Sequence, residues 1–261
     1  MHEFARLVVP ALRWDDAHGF GYLEGLIDDA LDLGAGGFLV EGGPREEVAA
    51  LIGRLHAESR HPLLLAVPAG RGAGETIAGC TPLPPFGAVA SVAVVPAAVQ
   101  PDGRAAPALD VDTVRRAARL TARELRTIGA NWALAPVCDV DAPGADGAGS
   151  RAASDDPAIV GAVVAEWIDA CQADGVIACA RNFPGGDVSS FAAAIDAGVA
   201  SVMVSSRAAP AFGARDAAAA TAAIVRDLLR GRLGFEGLAV TAPLDRDDAV
   251  APAREPALAV A

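Results

Sequence analysis

Short apolar runs alternate with longer segments whose apolar residues recur at three and four positions, and the alternation persists from residue 12 to residue 240. Leu63-Leu64-Leu65-Ala66-Val67 is one such short apolar run and reads as a strand. Val48, Leu51, Ile52 and Leu55 form one helical stripe before it, and Val160, Val163, Val164, Trp167, Ile168 and Cys171 form another further on. The spacing predicts strands over 6–12, 37–40, 63–67, 132–137, 176–180, 200–204 and 238–240, with an eighth over 257–261 after a helix at 249–255. Strand-helix units repeated at this length fold as a doubly wound sheet or as an eight-fold barrel, and periodicity leaves both open.

Punctuation supports the units. Gly34, Gly129, Gly175 and Gly234 stand where helices stop; Pro44, Asp112 and the pair Asp156-Pro157 stand where they start, with Asp112 and Asp156 expected as N-caps. Residues 68–107 break the rhythm, with Gly70, Gly72, Gly74 and Gly79 followed by Pro82, Pro84 and Pro85, and are expected to be a long loop over the end of the third strand. Those glycines do not follow a phosphate-cradle spacing and lack a Lys, so they read as loop formers.

A chain of 261 residues fits one barrel-sized domain. The net charge of −12 repels polyanions and the 21 basic residues, all Arg, are scattered, which excludes nucleic acid as an expected partner. Mean hydropathy is +0.35, yet no apolar run reaches the roughly 18 residues that cross a bilayer, so no membrane partner is expected. The first residues show no basic region followed by an apolar core, which leads to the expectation of a cytoplasmic protein. The cysteines form no C-x-x-C pair, and Cys138, Cys171 and Cys179 sit in apolar segments, so they are expected to be buried free thiols. The four His lie in the first quarter of the chain; neither a metal nor any other cofactor is expected.

The segment Leu233-Gly234-Phe235-Glu236-Gly237-Leu238-Ala239-Val240-Thr241-Ala242-Pro243-Leu244 reads as a helix end, a tight turn and a strand, Leu238 to Val240, of the short apolar kind buried on both faces of a parallel sheet. It resembles the L-G-F-x-G-x-[VI]-[VTS]-[TS]-D-x-L signature of glycoside hydrolase family 3, which holds β-glucosidases and β-N-acetylhexosaminidases. Gly129-Ala130-Asn131-Trp132 through Ala135-Pro136-Val137-Cys138-Asp139-Val140 is similar to that family's G-[IVA]-N-[WLM]-x-x-[AS]-P-V-x-D-V. Leu63 to Pro68, Leu83-Pro84-Pro85, the stretch from Ser150-Arg151 to Asp156-Pro157, and Arg181-Asn182-Phe183-Pro184-Gly185-Gly186-Asp187 resemble its P-L-L-[IV]-[AG]-[VI]-D-x-E-G-G, L-P, R-[SA]-F-[GS]-x-D-P and K-H-F-P-G-H-G-D segments. The resemblance implies a TIM (β/α)8-type barrel over residues 1–261, shortened or irregular at its C-terminal end, because the family continues beyond an eighth strand.

It also implies a retaining glycosidase that has lost its centre. The nucleophile position holds Ala242. Where the hexosaminidase branch carries a His-Asp acid/base after the fifth strand, Asp187-Val188-Ser189-Ser190 runs straight into Phe191, so that loop is cut short. The sugar-binding Asp and Glu after the third strand correspond to Pro68 and Gly70, and the Lys-His pair to Arg181 and Asn182. Arg151 and Asp139 are the ligand contacts that survive, with Arg181 and Asn182 in altered form. A noncatalytic barrel binding a carbohydrate or a protein partner is therefore expected, the alternative being an active hydrolase with a relocated carboxylate such as Asp139, Asp187 or Asp245.

Each of these residues has a plainer reading beside the functional one. Asp245, Asp247 and Asp248 suit a solvated turn, Asp187 a Gly-Gly-Asp turn, and Arg151 a loop ion pair with Asp155 or Asp156. Trp132 and Trp167 lie on apolar faces and suit the core.

Overall fold

The computed structural model describes residues 3–99, 105–141, 149–205, 207–209, 212, 214–217 and 222–244. Its main sheet has seven strands: β1 (Ala11–Arg13), β2 (Gly37–Glu41), β3 (Leu64–Pro68), β4 (Trp132–Leu134), β5 (Ile177–Phe183), β6 (Ser201–Val204) and β7 (Leu238–Thr241). They lie side by side in chain order and every neighbouring pair is parallel. A doubly wound sheet reverses its strand order at a switch point. An unreversed order with a crossover between each pair is the winding of a barrel, and this decides the question that periodicity left open. Among the described residues β1 and β7 do not pair, so the sheet is a curled half-barrel with an open side. The expected helix at 249–255 and strand at 257–261 lie outside the described residues.

Side chains alternate cleanly across the strands, as a pleated backbone requires. Phe38, Val40, Leu65, Val67, Ala133, Ala178, Ala180, Val202 and Val204 face outward into the large core beneath the helices. Leu39, Ala66, Trp132, Leu134, Cys179 and Met203 face inward and form a second, smaller core, against which Ala11, Leu64, Ile177, Val240 and Ala242 pack. Trp132 is the largest side chain of that inner core. Its indole Nε1 donates to Ser201 Oγ at 2.8 Å, and Ser201 Oγ donates to the carbonyl of Ala178 at 2.8 Å, so a satisfied polar chain links β4, β6 and β5.

The outer layer consists of α1 (Glu24–Leu33), α2 (Arg45–Glu58), α3 (Phe86–Ser91), α4 (Asp112–Thr127), α5 (Pro157–Ala173), α6 (Ser189–Asp196) and a π-helical segment, Ala223–Arg232. The stripe residues Val48, Leu51, Ile52 and Leu55 are buried on α2, as are Ile224, Val225, Leu228 and Leu229 on the π-helical segment. Gly34 closes α1 at φ 85°, and Asp156 starts α5 by accepting from the Ala158 amide at 2.8 Å.

Five expectations need correction. The first strand does not run over 6–12: Glu3–Leu7 is a 3-10 helix whose Arg6 carbonyl lies against Gly36, and pairing begins only at Ala11, past Pro10. Asp112 is not the cap of α4 but its first residue; Asp110 Oδ1 accepts from the Asp112 amide at 3.2 Å instead. Residues 68–107 are not one loop, since they contain α3 and most of a hairpin of Val94–Val99 with Ala105–Leu109. The fourth strand stops at Leu134, short of 137, ahead of Pro136. Finally, 238–240 is not buried on both faces: among the described residues β7 pairs only with β6, and Leu238 is 37% exposed.

Candidate functional site

The inward alternation of β7 runs Leu238, Val240, Ala242, which places Ala242 on the barrel interior at the strand's carboxyl end, where barrels carry their chemistry. Its amide donates to the Val204 carbonyl at 2.9 Å, continuing the β6–β7 ladder by one residue. Ala242 lines a cavity of about 600 Å³ together with Trp132, Leu134, Met203, Val240 and Thr241. Among the described residues no carboxylate lines this cavity; its only charged wall residue is Arg6, on the N-terminal 3-10 helix.

A polar cluster sits at the carboxyl ends of β3, β4 and β5. Asp139 follows β4, and Arg181 and Asn182 close β5, where the Cys138 amide donates to the Arg181 carbonyl at 2.5 Å. Asn182 Nδ2 donates to Asp139 Oδ2 at 2.8 Å. The other carboxylate oxygen, Oδ1, would lie 2.9 Å from a Cβ at Gly185, whose φ is 59°. That position therefore requires glycine for conformation and for space. Burial raises the Asp139 carboxyl above its ordinary value, against the Asn182 hydrogen bond and the attraction of Arg151 and Arg181, which lower it. A half-buried carboxyl with raised proton affinity can hold or deliver a proton, although this one is already committed to Asn182.

The other residues singled out from the sequence fall into place around this cluster. Arg151 ends a 3-10 turn, Gly149–Arg151, on the exposed surface and attracts Asp139. The carboxylates proposed to pair with Arg151 have other work: Asp156 caps α5, and Asp155 accepts from Ser154 Oγ at 3.3 Å. Asp187 Oδ1 accepts from the Ser189 amide at 2.6 Å and from Ser189 Oγ at 2.5 Å, which forms the turn into α6. Between β5 and α6 the chain has only residues 184–188, and Ser190 Oγ donates to the Cys138 carbonyl at 2.6 Å, fastening the start of α6 to the segment that follows β4. Asp245, Asp247 and Asp248 lie outside the described residues.

Sequence reading missed Glu75. A Cβ built on Gly70 would stand 3.4 Å from Glu75 Oε2 and 3.7 Å from Arg181 Nη2, so the two side chains reach the same small space. The available signal was that Glu75 is the sole carboxylate between Pro68 and Asp102. Among the described residues no group of three or more His, Cys, Asp or Glu is placed to hold a metal, and no helix is long and apolar enough to cross a membrane.

Comparison with known proteins bears directly on this geometry. The chain is 30% identical over 244 residues to a β-N-acetylglucosaminidase/β-glucosidase of Cellulomonas fimi, covering 80% of this chain and 40% of that one. It is 31% identical over 222 residues to a β-hexosaminidase of Xanthomonas campestris pv. campestris, covering 74% and 62% respectively. It thus spans less than two thirds of either relative. Among solved structures, NagZ from Neisseria gonorrhoeae in complex with N-trifluoroacetyl-D-glucosamine superposes with a TM-score of 0.72 at 19% identity, over 91% of this chain and 74% of that one, a likeness of fold. Residues 36–190, which carry β2 to β5 and every member of the polar cluster, match the model of the glycosyl hydrolase family 3 N terminal domain, and the chain belongs to that family.

Proposed function

We propose that the chain is a noncatalytic family 3 barrel, a single domain over residues 1–261, that binds a carbohydrate at the carboxyl ends of its strands. One observation carries this reading: the inward position at the end of β7 is Ala242, beside a cavity without a carboxylate wall among the described residues. Retaining glycoside hydrolysis needs a carboxylate to attack the anomeric carbon and a second group about 5 Å away to donate and then remove a proton. A methyl group does neither.

The substrate-binding role is assigned to Arg151, Arg181, Asn182 and Asp139. Support comes from their convergence after β4 and β5 and from the sugar-cleaving relatives, whose names describe N-acetylglucosaminides and glucosides. Incubation with nitrophenyl β-N-acetylglucosaminide and nitrophenyl β-glucoside between pH 4 and pH 9 tests the proposal. No nitrophenol above the buffer rate is expected. Turnover that disappears on replacing Asp139, Asp187 or Asp245 would establish the opposite reading, a hydrolase with a relocated carboxylate.

A further inference from the structure

The cavity beside Ala242 extends far beyond the carboxyl ends of the strands. Leu238 to Ala242 line it along β7, a rise of about 13 Å at the usual strand spacing, and it reaches Arg6, Val8 and Gly36 at its other end. Gly36 immediately precedes β2 and the Arg6 carbonyl lies against it, so this end sits at the amino ends of the strands, away from Asp139 and Asn182. The space also extends inward to Ala66, Trp132 and Met203 on β3, β4 and β6. A barrel interior is ordinarily filled by its own side chains. Here Leu7, Val8, Leu238 and Leu244 line the space and remain exposed, and its volume of about 600 Å³ is that of a small-molecule site.

The walls define what can fill it. Apart from Arg6 and Thr241, every lining residue among those described is apolar, and Trp132 has its one polar atom bonded to Ser201. Sugar hydroxyls entering here would leave water and find almost no partner. An alkyl chain gains by the same transfer, and the thioether of Met203 adapts to its shape. Charge sits at one end only. Arg6 is the sole charged residue on the described wall, and no described residue is hydrogen-bonded or ion-paired to its guanidinium. An ammonium head would be repelled there and a carboxylate attracted. We propose that this cavity holds one free fatty acid of medium length, its alkyl chain along β7 and against Trp132, its carboxylate on Arg6 at the amino ends of the strands. The site is separate from the sugar-binding cluster and does not depend on it.

Calorimetric titration of the full chain with dodecanoate, octanoate, dodecanol and dodecyltrimethylammonium, each below its micelle concentration, tests the site. Dodecanoate is expected to bind more tightly than the alcohol or the ammonium. Each buried methylene contributes about fourfold in affinity, so octanoate should bind about a hundredfold more weakly. Arg6→Gln should weaken dodecanoate about fivefold, the scale of a solvent-exposed ion pair, and leave dodecanol unchanged. Dodecanoate brominated at its far end should quench Trp132 on contact, and Trp132→Phe should lose that quenching, since neither Trp14 nor Trp167 lines the cavity. Val240→Phe, which fills the space from β7, should weaken dodecanoate and dodecanol alike. Circular dichroism controls for folding, and if Val240→Phe fails to fold, Arg6→Gln and the brominated ligand carry the comparison. No binding of dodecanoate would overturn the site, residues 245–261 of this chain being one occupant that would exclude it. Unchanged affinity in folded Arg6→Gln, preference for the alcohol or the ammonium, or attachment to phosphatidylglycerol vesicles without capture of free dodecanoate would overturn it as well.

Discussion

Asn182 donates its side-chain amide to the carboxylate of Asp139 at 2.8 Å, tying the loop after β5 to the loop after β4. The tie holds Arg181 at the barrel mouth, because Arg181 precedes Asn182 and its carbonyl already takes the Cys138 amide. Asp139 is thus a positioning residue for the cluster as well as a member of it.

Its raised proton affinity has a definite sign in stability. Where the folded state holds the Asp139 proton more tightly than the unfolded state, stability declines as pH rises. The contribution is fully present below the ordinary value of 3.8 and is lost as pH climbs through the raised folded value. Urea midpoints of wild type and Asp139→Asn at pH 4 and pH 7 should show the variant gaining relative to wild type at the higher pH. A relative gain at pH 4 instead would contradict the assignment of burial as the dominant cause.

Gly185→Ala should destabilise by about 1–2 kcal/mol from its left-handed φ alone, with a further cost from the approach to Asp139 Oδ1. In a double-mutant cycle the penalty should shrink when Asp139 is also replaced by Ala. Full additivity would mean that the two do not touch.

Trp132→Ala should cost about 3–5 kcal/mol, since it removes the largest side chain of the inner core and the hydrogen bond to Ser201. Trp132→Phe, which keeps most of the volume and loses the N–H, should cost about 1 kcal/mol from the hydrogen bond. Denaturant unfolding of both variants checks the order.

All four thiols are free and buried, and burial pushes Cys171 up to about 12 and Cys179 up to about 11. Ellman's reagent at pH 8 should label none of them rapidly in the native protein and all four in urea. Fast native labelling of Cys138, Cys171 or Cys179 would show that the core opens.

The helix stripes and strand runs were legible because burial repeats at fixed periods, as Val48 to Leu55 and Leu64 to Val67 demonstrate. Membership of the family was legible because segments such as the one around Ala242 resemble its signatures. Glu75 was not, because its role depends on where a glycine-rich loop folds back over β3, and no local periodicity encodes that return. Leu238 misled for a related reason: a short apolar run does not show how much of each face its surroundings cover, and Leu238 is exposed. Asp112 is not the cap because α4 begins one residue earlier than its spacing suggests: Val111 holds the cap position, and the amide of Asp112 itself donates to Asp110 Oδ1.

Restoring the carboxylate alone should do little. Ala242→Asp is expected to yield no nitrophenol release above wild type, because on the proposed reading the proton-transfer partner is missing as well, Asp187 in the short link from β5 to α6 being bonded to Ser189, and members of a catalytic unit are strongly non-additive. Substantial turnover by this single variant would mean that an acid/base is present elsewhere.

Covalent capture reaches the central question most directly. A fluorinated glycoside that traps the glycosyl-enzyme intermediate of retaining enzymes, incubated with the wild-type chain and read by intact mass spectrometry, should leave the mass unchanged. A glycosyl adduct mapped to any Asp or Glu would contradict the claim that this barrel has no nucleophile.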